Sequence, residues 1–136
     1  MYLEISNPMD YHVGLYIRLS KEDENEGPSE SVNNQRSMLE EFVKQHRLSI
    51  FDTYVDDGWS GTNFDRPAFQ RMIADIEAKK VNMVITKDLS RLGRDYILTG
   101  HYMERYFPEH RVRYISLLDG IDTGVDSTAN DITPFR

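Results

Sequence analysis

The sequence predicts an α/β domain: a mainly parallel central sheet of four or five strands with helices on both faces. Three observations carry this. Short apolar runs alternate with longer stretches of helical periodicity, in the order β-α-β-α-β-α-β. The connections are short, as expected where helices cross between parallel strands. The polar residues able to do chemistry follow the strands, at the edge where open α/β sheets bind ligands.

Residues 1–10 are a mixed polar lead-in, expected to be poorly ordered. In residues 13–20, Val13, Leu15, Ile17 and Leu19 alternate with Gly14, Tyr16, Arg18 and Ser20. That is a strand, and Tyr16 makes its second face partly apolar as well. Alternation puts Arg18 and Ser20 on one side, at the strand's C-terminal end. A hydroxyl and a guanidinium so placed suit a nucleophile beside an oxyanion stabiliser, though a strand ending in a polar turn looks the same. Residues 21–31 contain Gly27-Pro28 and many acids and read as a mobile loop. Residues 32–46 form an amphipathic helix with Val32, Leu39, Phe42 and Val43 on its apolar face, Ser31 as N-cap, and Gln35 and Arg36 in its first turns.

A second strand, residues 48–55, runs into the polar loop Asp56-Asp57-Gly58-Trp59-Ser60-Gly61-Thr62-Asn63. Two adjacent acids are a possible metal pair, but Asp-rich strand ends are common without one. Asp65-Arg66-Pro67 opens the next helix, residues 68–80, with Asp65 as the expected N-cap and Phe69, Met72, Ile73 and Ile76 as the buried stripe. Arg66 there opposes the helix dipole, which hints at a use elsewhere. Residues 81–86 are a third strand. It leads into Asp88-Leu89-Ser90-Arg91-Leu92-Gly93-Arg94-Asp95, two arginines and a glycine between a strand and a helix. Guanidiniums spaced this way bind a phosphate or another oxyanion, although a solvated turn has the same composition. A third helix follows over residues 96–108, with Ile97, Tyr102, Met103, Tyr106 and Phe107 as apolar candidates. A fourth strand spans residues 111–118, and residues 119–136 read as loop.

Composition narrows the function. The 136 residues, 39% hydrophobic and 29% charged, suit one compact globular domain. No run approaches the length of a membrane span, and the first residues lack the pattern of a signal peptide. Cysteine is absent, which excludes disulfides and thiolate metal sites and fits a cytoplasmic protein. The net charge of −7 argues against tight, autonomous nucleic-acid binding, but not against a small basic site on an acidic body. The acids gather at Glu22, Asp23, Glu24, Glu26 and Glu30, and the arginines elsewhere.

In a parallel sheet the strand ends meet. Arg18, Ser20, Asp56, Arg66, Ser90, Arg91 and Arg94 then share one site. No Gly-rich phosphate loop with its lysine is present and no Cys/His cluster has metal-ligand spacing, so the site suits a phosphodiester held by guanidiniums. Three blocks carry a resemblance: Tyr16-Ile17-Arg18-Leu19-Ser20; Tyr54-Val55-Asp56-Asp57-Gly58-Trp59-Ser60-Gly61 running to Asp65-Arg66-Pro67; and Ser90-Arg91-Leu92-Gly93-Arg94-Asp95. Asn34-Gln35-Arg36 is a fourth. In order and spacing they resemble the N-terminal catalytic domain of the serine recombinases, the resolvase/invertase superfamily. The nearest likeness is to the large recombinases of transposons and phage integrases.

The resemblance implies a metal- and nucleotide-independent DNA recombinase. Ser20 would be the nucleophile that forms a 5′-phosphoserine link, and Arg18, Arg66, Arg91 and Arg94 the arginines on the scissile phosphate. Asp56 would orient the site, and Gln35 would assist near the nucleophile. Strand exchange and religation would follow in a tetramer on double-stranded DNA sites. One departure is Ser90, where small resolvases carry an acid; Asp88 lies two residues earlier, on the same face if the strand continues that far. The resemblance also implies a boundary. Residues 11–120 would be the catalytic domain, and residues 121–136 would lead toward a helix and DNA-binding domains that are not in this sequence. Such a fragment is expected to be monomeric or weakly dimeric. Three other readings compete: a flavodoxin-like receiver domain, whose acceptor acids belong after the first strand; a metal-dependent phosphatase or nuclease built on Asp56, Asp57 and Asp88; and a catalytically inactive assembly domain on the same fold.

Overall fold

The computed structural model describes residues 5–21, 27 and 30–124. The strands are β1 (His12–Leu19), β2 (Ser49–Asp57), β3 (Met83–Thr86), β4 (Arg113–Ser116) and β5 (Ile121–Asp122). Helix α1 (Val32–Gln45) links β1 to β2, and α2 (Pro67–Glu77) links β2 to β3. Between β3 and β4 come a single turn, α3 (Leu89–Leu92), then α4 (Tyr96–His101), a π-helical turn (Tyr102–Tyr106) and α5 (Phe107–Glu109). The sheet order is β2-β1-β3-β4-β5; the first four strands are parallel and β5 is antiparallel to β4. The expected four or five strands are therefore five. The fifth lies in a stretch that reads as loop, because a two-residue strand has no periodicity to detect. Most of the segment expected to be a mobile loop, and residues 125–136, lie outside the described residues. Among the described residues no helix is long and apolar enough to cross a membrane.

This order makes β1 the switch point. The chain leaves β1 for β2 on one side and then returns past it to β3 on the other. Consecutive crossovers in opposite directions place their helices on opposite faces and open a crevice at the C-terminal end of β1. The two cores reflect this. Val13, Leu15 and Ile17 pack with Leu39 and Val43 of α1, together with Met83, Ile85 and Ile115. Tyr16, Tyr54, Val84 and Tyr114 pack on the other face with Phe69, Met72 and Ile76 of α2 and with Phe107. Tyr16 thus buries the second face of β1.

Helix ends explain where the observed elements depart from the expected spans. Arg47, Lys79 and Arg111 have φ of 59°, 62° and 58°, the left-handed conformation that closes a helix. The next amides turn back: Leu48 to the Val43 carbonyl at 3.0 Å, Lys80 to Asp75 at 2.8 Å, and Val112 to Phe107 at 2.8 Å. No glycine marks these stops, so α2 ends before the expected residue 80 and β4 starts after the expected residue 111.

The start of α2 needs a correction. Its N-cap is Arg66, not Asp65, and Arg66 makes no side-chain cap. Asp56 caps instead, from β2: its Oδ1 accepts the Ala68 amide at 2.8 Å and its Oδ2 the Phe69 amide at 2.9 Å. A carboxylate from the sheet satisfies the helix start, and Arg66 is free to point inward. The condition placed on Asp88 also fails. Strand β3 stops at Thr86, and Asp88 is the N-cap of α3, accepting the Arg91 amide at 3.2 Å. Ile97 is not core; it is 81% exposed beside an exposed Tyr96.

Candidate active site

Strand β1 delivers Arg18 and Ser20 to the crevice, and both are buried. Register places Arg18 beside Asp56 of β2, so both residues project to the α2 side. Gln35, Arg66 and Arg91 are buried with them, whereas Arg94 is exposed at the rim. Five of the six other candidate residues therefore gather with Ser20 in the interior, and one stays at its edge.

Three guanidiniums without contact to water form the centre. Arg18 donates from Nη1 to the Trp59 carbonyl at 3.0 Å and from Nη2 to the Ser90 carbonyl at 2.6 Å. Its Nε reaches the Arg91 carbonyl at 3.3 Å. Arg91 returns the contact, with Nη1 donating to the Arg18 carbonyl at 2.9 Å. Arg66 donates from Nε to the Asn63 carbonyl at 2.6 Å and from Nη2 to the Leu92 carbonyl at 2.6 Å. Its guanidinium lies 4.5 Å from the Phe64 ring centre and 4.9 Å from that of Phe69, an aromatic cage suited to a desolvated cation. Main-chain carbonyls thus partner much of this charge. They fix the geometry, Asp88 Oδ1 meets Arg91 Nε at 3.3 Å as a partial counter-charge, and three clustered guanidiniums favour an anion.

Asp56 acts indirectly. Besides the two α2 amides, its Oδ2 accepts the Tyr16 hydroxyl at 2.7 Å, and that hydroxyl accepts Nη1 of Arg66 at 2.8 Å. Burial raises the Tyr16 hydroxyl above its ordinary pKa against the pull of Arg66, with Asp56 adding to the rise. The phenol therefore stays protonated and relays orientation from Asp56 to Arg66. Asp57, the next residue on the strand, is exposed, so the two adjacent acids do not converge. Among the described residues no group of three or more His, Asp and Glu side chains is placed to hold a metal ion.

Two further details complete the site. The Ser90 hydroxyl donates to Asp88 Oδ1 at 2.6 Å and accepts Nη2 of Arg91 at 3.0 Å, so a carboxylate does stand beside Ser90. Gln35 Nε2 donates to the Arg18 carbonyl at 3.1 Å and to the Glu30 carbonyl at 2.8 Å, which leaves its buried Oε1 without a donor. Gly61 makes room for the arginines: a methyl there would stand 2.7 Å from Arg18 Nη2 and 2.7 Å from Arg94 Cγ. Sequence reasoning missed the hydroxyl role of Tyr16, the carbonyl cradle and Gly61. A tyrosine on the arginine face of the strand was the available signal for the first; main-chain acceptors leave none.

Comparison with known proteins agrees with this geometry. Residues 13–132 match the family described as Resolvase, N terminal domain. The N-terminal catalytic domain of TP901-1 integrase superposes with a TM-score of 0.75 and 30% identity, over 90% of this chain and 96% of that one. A resolvase family site-specific recombinase from Streptococcus pneumoniae gives 0.69 and 29%, over 91% and 88%. The catalytic domain of ISC1926 TnpA, at 21% identity and a TM-score of 0.64 over 79% and 68%, shares the fold. No curated protein matches the sequence. With arginines gathered around a serine at the switch point of a resolvase-like sheet, the chain belongs to the resolvase N-terminal domain family and is the catalytic domain of a site-specific serine recombinase.

Proposed function

We propose that Ser20 is the nucleophile of this recombinase. Its Oγ attacks the scissile phosphorus, the bond from phosphorus to O3′ breaks, and a 5′-phosphoserine link and a free 3′-hydroxyl result. Arg18, Arg66 and Arg91 hold the phosphoryl oxygens, and Arg94 approaches from the rim. Asp56 and Gln35 keep Arg66 and the main chain before Ser20 in place. Phosphoryl transfer needs positioning and spread positive charge more than covalent machinery. The observation that carries the reading is the burial of Arg18, Arg66 and Arg91 around the end of the strand that delivers Ser20.

Serine recombinases act on DNA in oligomeric complexes. For this chain we propose dimers that pair into tetramers on double-stranded sites, with base recognition outside residues 11–120. The net charge of −7 supports that division, since groove binding draws on basic surface. Strand β5 pairs residues 121–122 with β4 at the edge of the same sheet. Residues further on would lead to the assembly and DNA-binding parts.

The test is to incubate the recombinase carrying this domain with DNA bearing its site, with and without chelator, and to map covalent adducts by peptide sequencing. Attachment of a 5′-phosphate to Ser20 in both samples is expected. An adduct on Ser90 would move the nucleophile, and metal-dependent cleavage without an adduct would remove it.

A further inference from the structure

A buried ion pair lies beside these residues and outside the roles assigned so far. Lys87 directly follows β3, and its ammonium meets the carboxylate of Glu30 across 57 positions of sequence. The two side chains are only 6% and 12% exposed. Withdrawing two charges from water is costly, and such a pair is best explained where it fixes a register.

Its connections show what it would fix. Glu30 immediately precedes Ser31, the cap of α1, so it closes the segment that Ser20 begins. The Glu30 carbonyl accepts one Gln35 Nε2 bond and the Arg18 carbonyl accepts the other. One amide group therefore joins the main chain just before Ser20 to the far end of the same segment. Lys87 then ties that far end to β3. Its own main chain is anchored in turn, because its carbonyl accepts the Leu118 amide at 2.9 Å beyond the end of β4. Strands β3 and β4 thereby set the position of Glu30 through a charge pair.

We propose that Lys87 is a positioning residue for the nucleophile: through Glu30 and Gln35 it holds both ends of the Ser20 segment against the sheet. The proposal rests on Ser20 being the nucleophile. In it Lys87 acts by pairing with Glu30 and makes no contact with DNA.

The experiment compares variants of the recombinase carrying this domain, with DNA affinity measured by gel shift and adduct formation measured at saturating DNA. Lys87→Met is expected to slow adduct formation by about 10-fold or more while affinity stays within about 3-fold, the signature of lost transition-state positioning. Glu30→Gln should reproduce that loss. Lys87→Arg should recover most of the rate, and the charge-swapped pair Lys87→Glu with Glu30→Lys should exceed either single swap. If Lys87→Met fails to fold, Glu30→Gln and Lys87→Arg carry the test. Wild-type rates in Glu30→Gln would overturn the proposal, and a Lys87→Met defect confined to DNA affinity would overturn it by making Lys87 a DNA contact. Ser20→Ala separates the two assignments: adduct in that variant removes the nucleophile, whereas no adduct there with full activity in Lys87→Met removes only the role of Lys87.

Discussion

At the scale of single residues, the arginines depend on atoms that a sequence does not display. The carbonyls of Asn63, Trp59, Ser90, Arg91 and Leu92 receive the guanidiniums, and every residue has such a carbonyl. That Arg18, Arg66 and Arg91 share a site was legible from their positions after strands; how they are held was not. Gly61 offers the direct test, because its missing side chain is the space Arg18 occupies. Gly61→Ala is expected to displace the Arg18 head and slow DNA cleavage by about 100-fold, the penalty for a misplacement of roughly 1 Å. Single-turnover cleavage at saturating DNA measures this, and an unchanged rate would show that Arg18 is not held at its working position. Asp56 was legible as a site residue, but its contribution passes through the Tyr16 hydroxyl to Arg66.

At the scale of elements, two helices stop by the same seven-residue device. In residues 42–48 and again in 106–112, an aromatic ring stacks on a histidine four residues later, with ring centres 4.1 Å apart in both. An arginine in the left-handed conformation follows, and an aliphatic residue turns its amide back into the helix. The strands and helices themselves were legible from periodicity. Their ends were less so, because basic residues stand where glycine is the usual mark. Lys79 is the plainest case, since its stop lacks the stacked histidine. Lys79→Gly is expected to gain about 0.5 kcal/mol by removing the left-handed strain, less the entropy that glycine loses on folding. A urea midpoint that rises with an unchanged slope would show it, and Lys79→Ala should show no such gain.

At the scale of the whole molecule, the sheet order explains why so much of the function was readable. Chain reversal around β1 brings three separated sequence blocks to one crevice, and each block carries its own chemistry in adjacent letters. The fifth strand was not readable because two residues carry no periodicity, and the capping by Asp56 and the Lys87–Glu30 pair were not because each joins side chains to partners in another element. The core layer against α2 also holds the fold to a pH limit. Burial raises the hydroxyls of Tyr16, Tyr54 and Tyr114 above the ordinary value of 10.0. An unfolded tyrosine titrates near 10, so the folded chain retains these protons after the unfolded chain has released them. Their contribution to stability is full below pH 10 and declines as the pH rises above it. The melting temperature should fall above pH 10, and phenolate absorbance from these three should accompany unfolding; ionisation well before the fold is lost would contradict the burial. 

The reciprocal grip of Arg18 and Arg91, each guanidinium on the other's carbonyl, has a consequence for inheritance. Losing either side chain releases the peptide that positions its partner, so the second loss finds little left to damage. In a pairwise mutational map these two positions would behave as one locus, with a double variant scarcely worse than either single. Single-step drift at either position is then closed, and the pair persists or disappears as a unit.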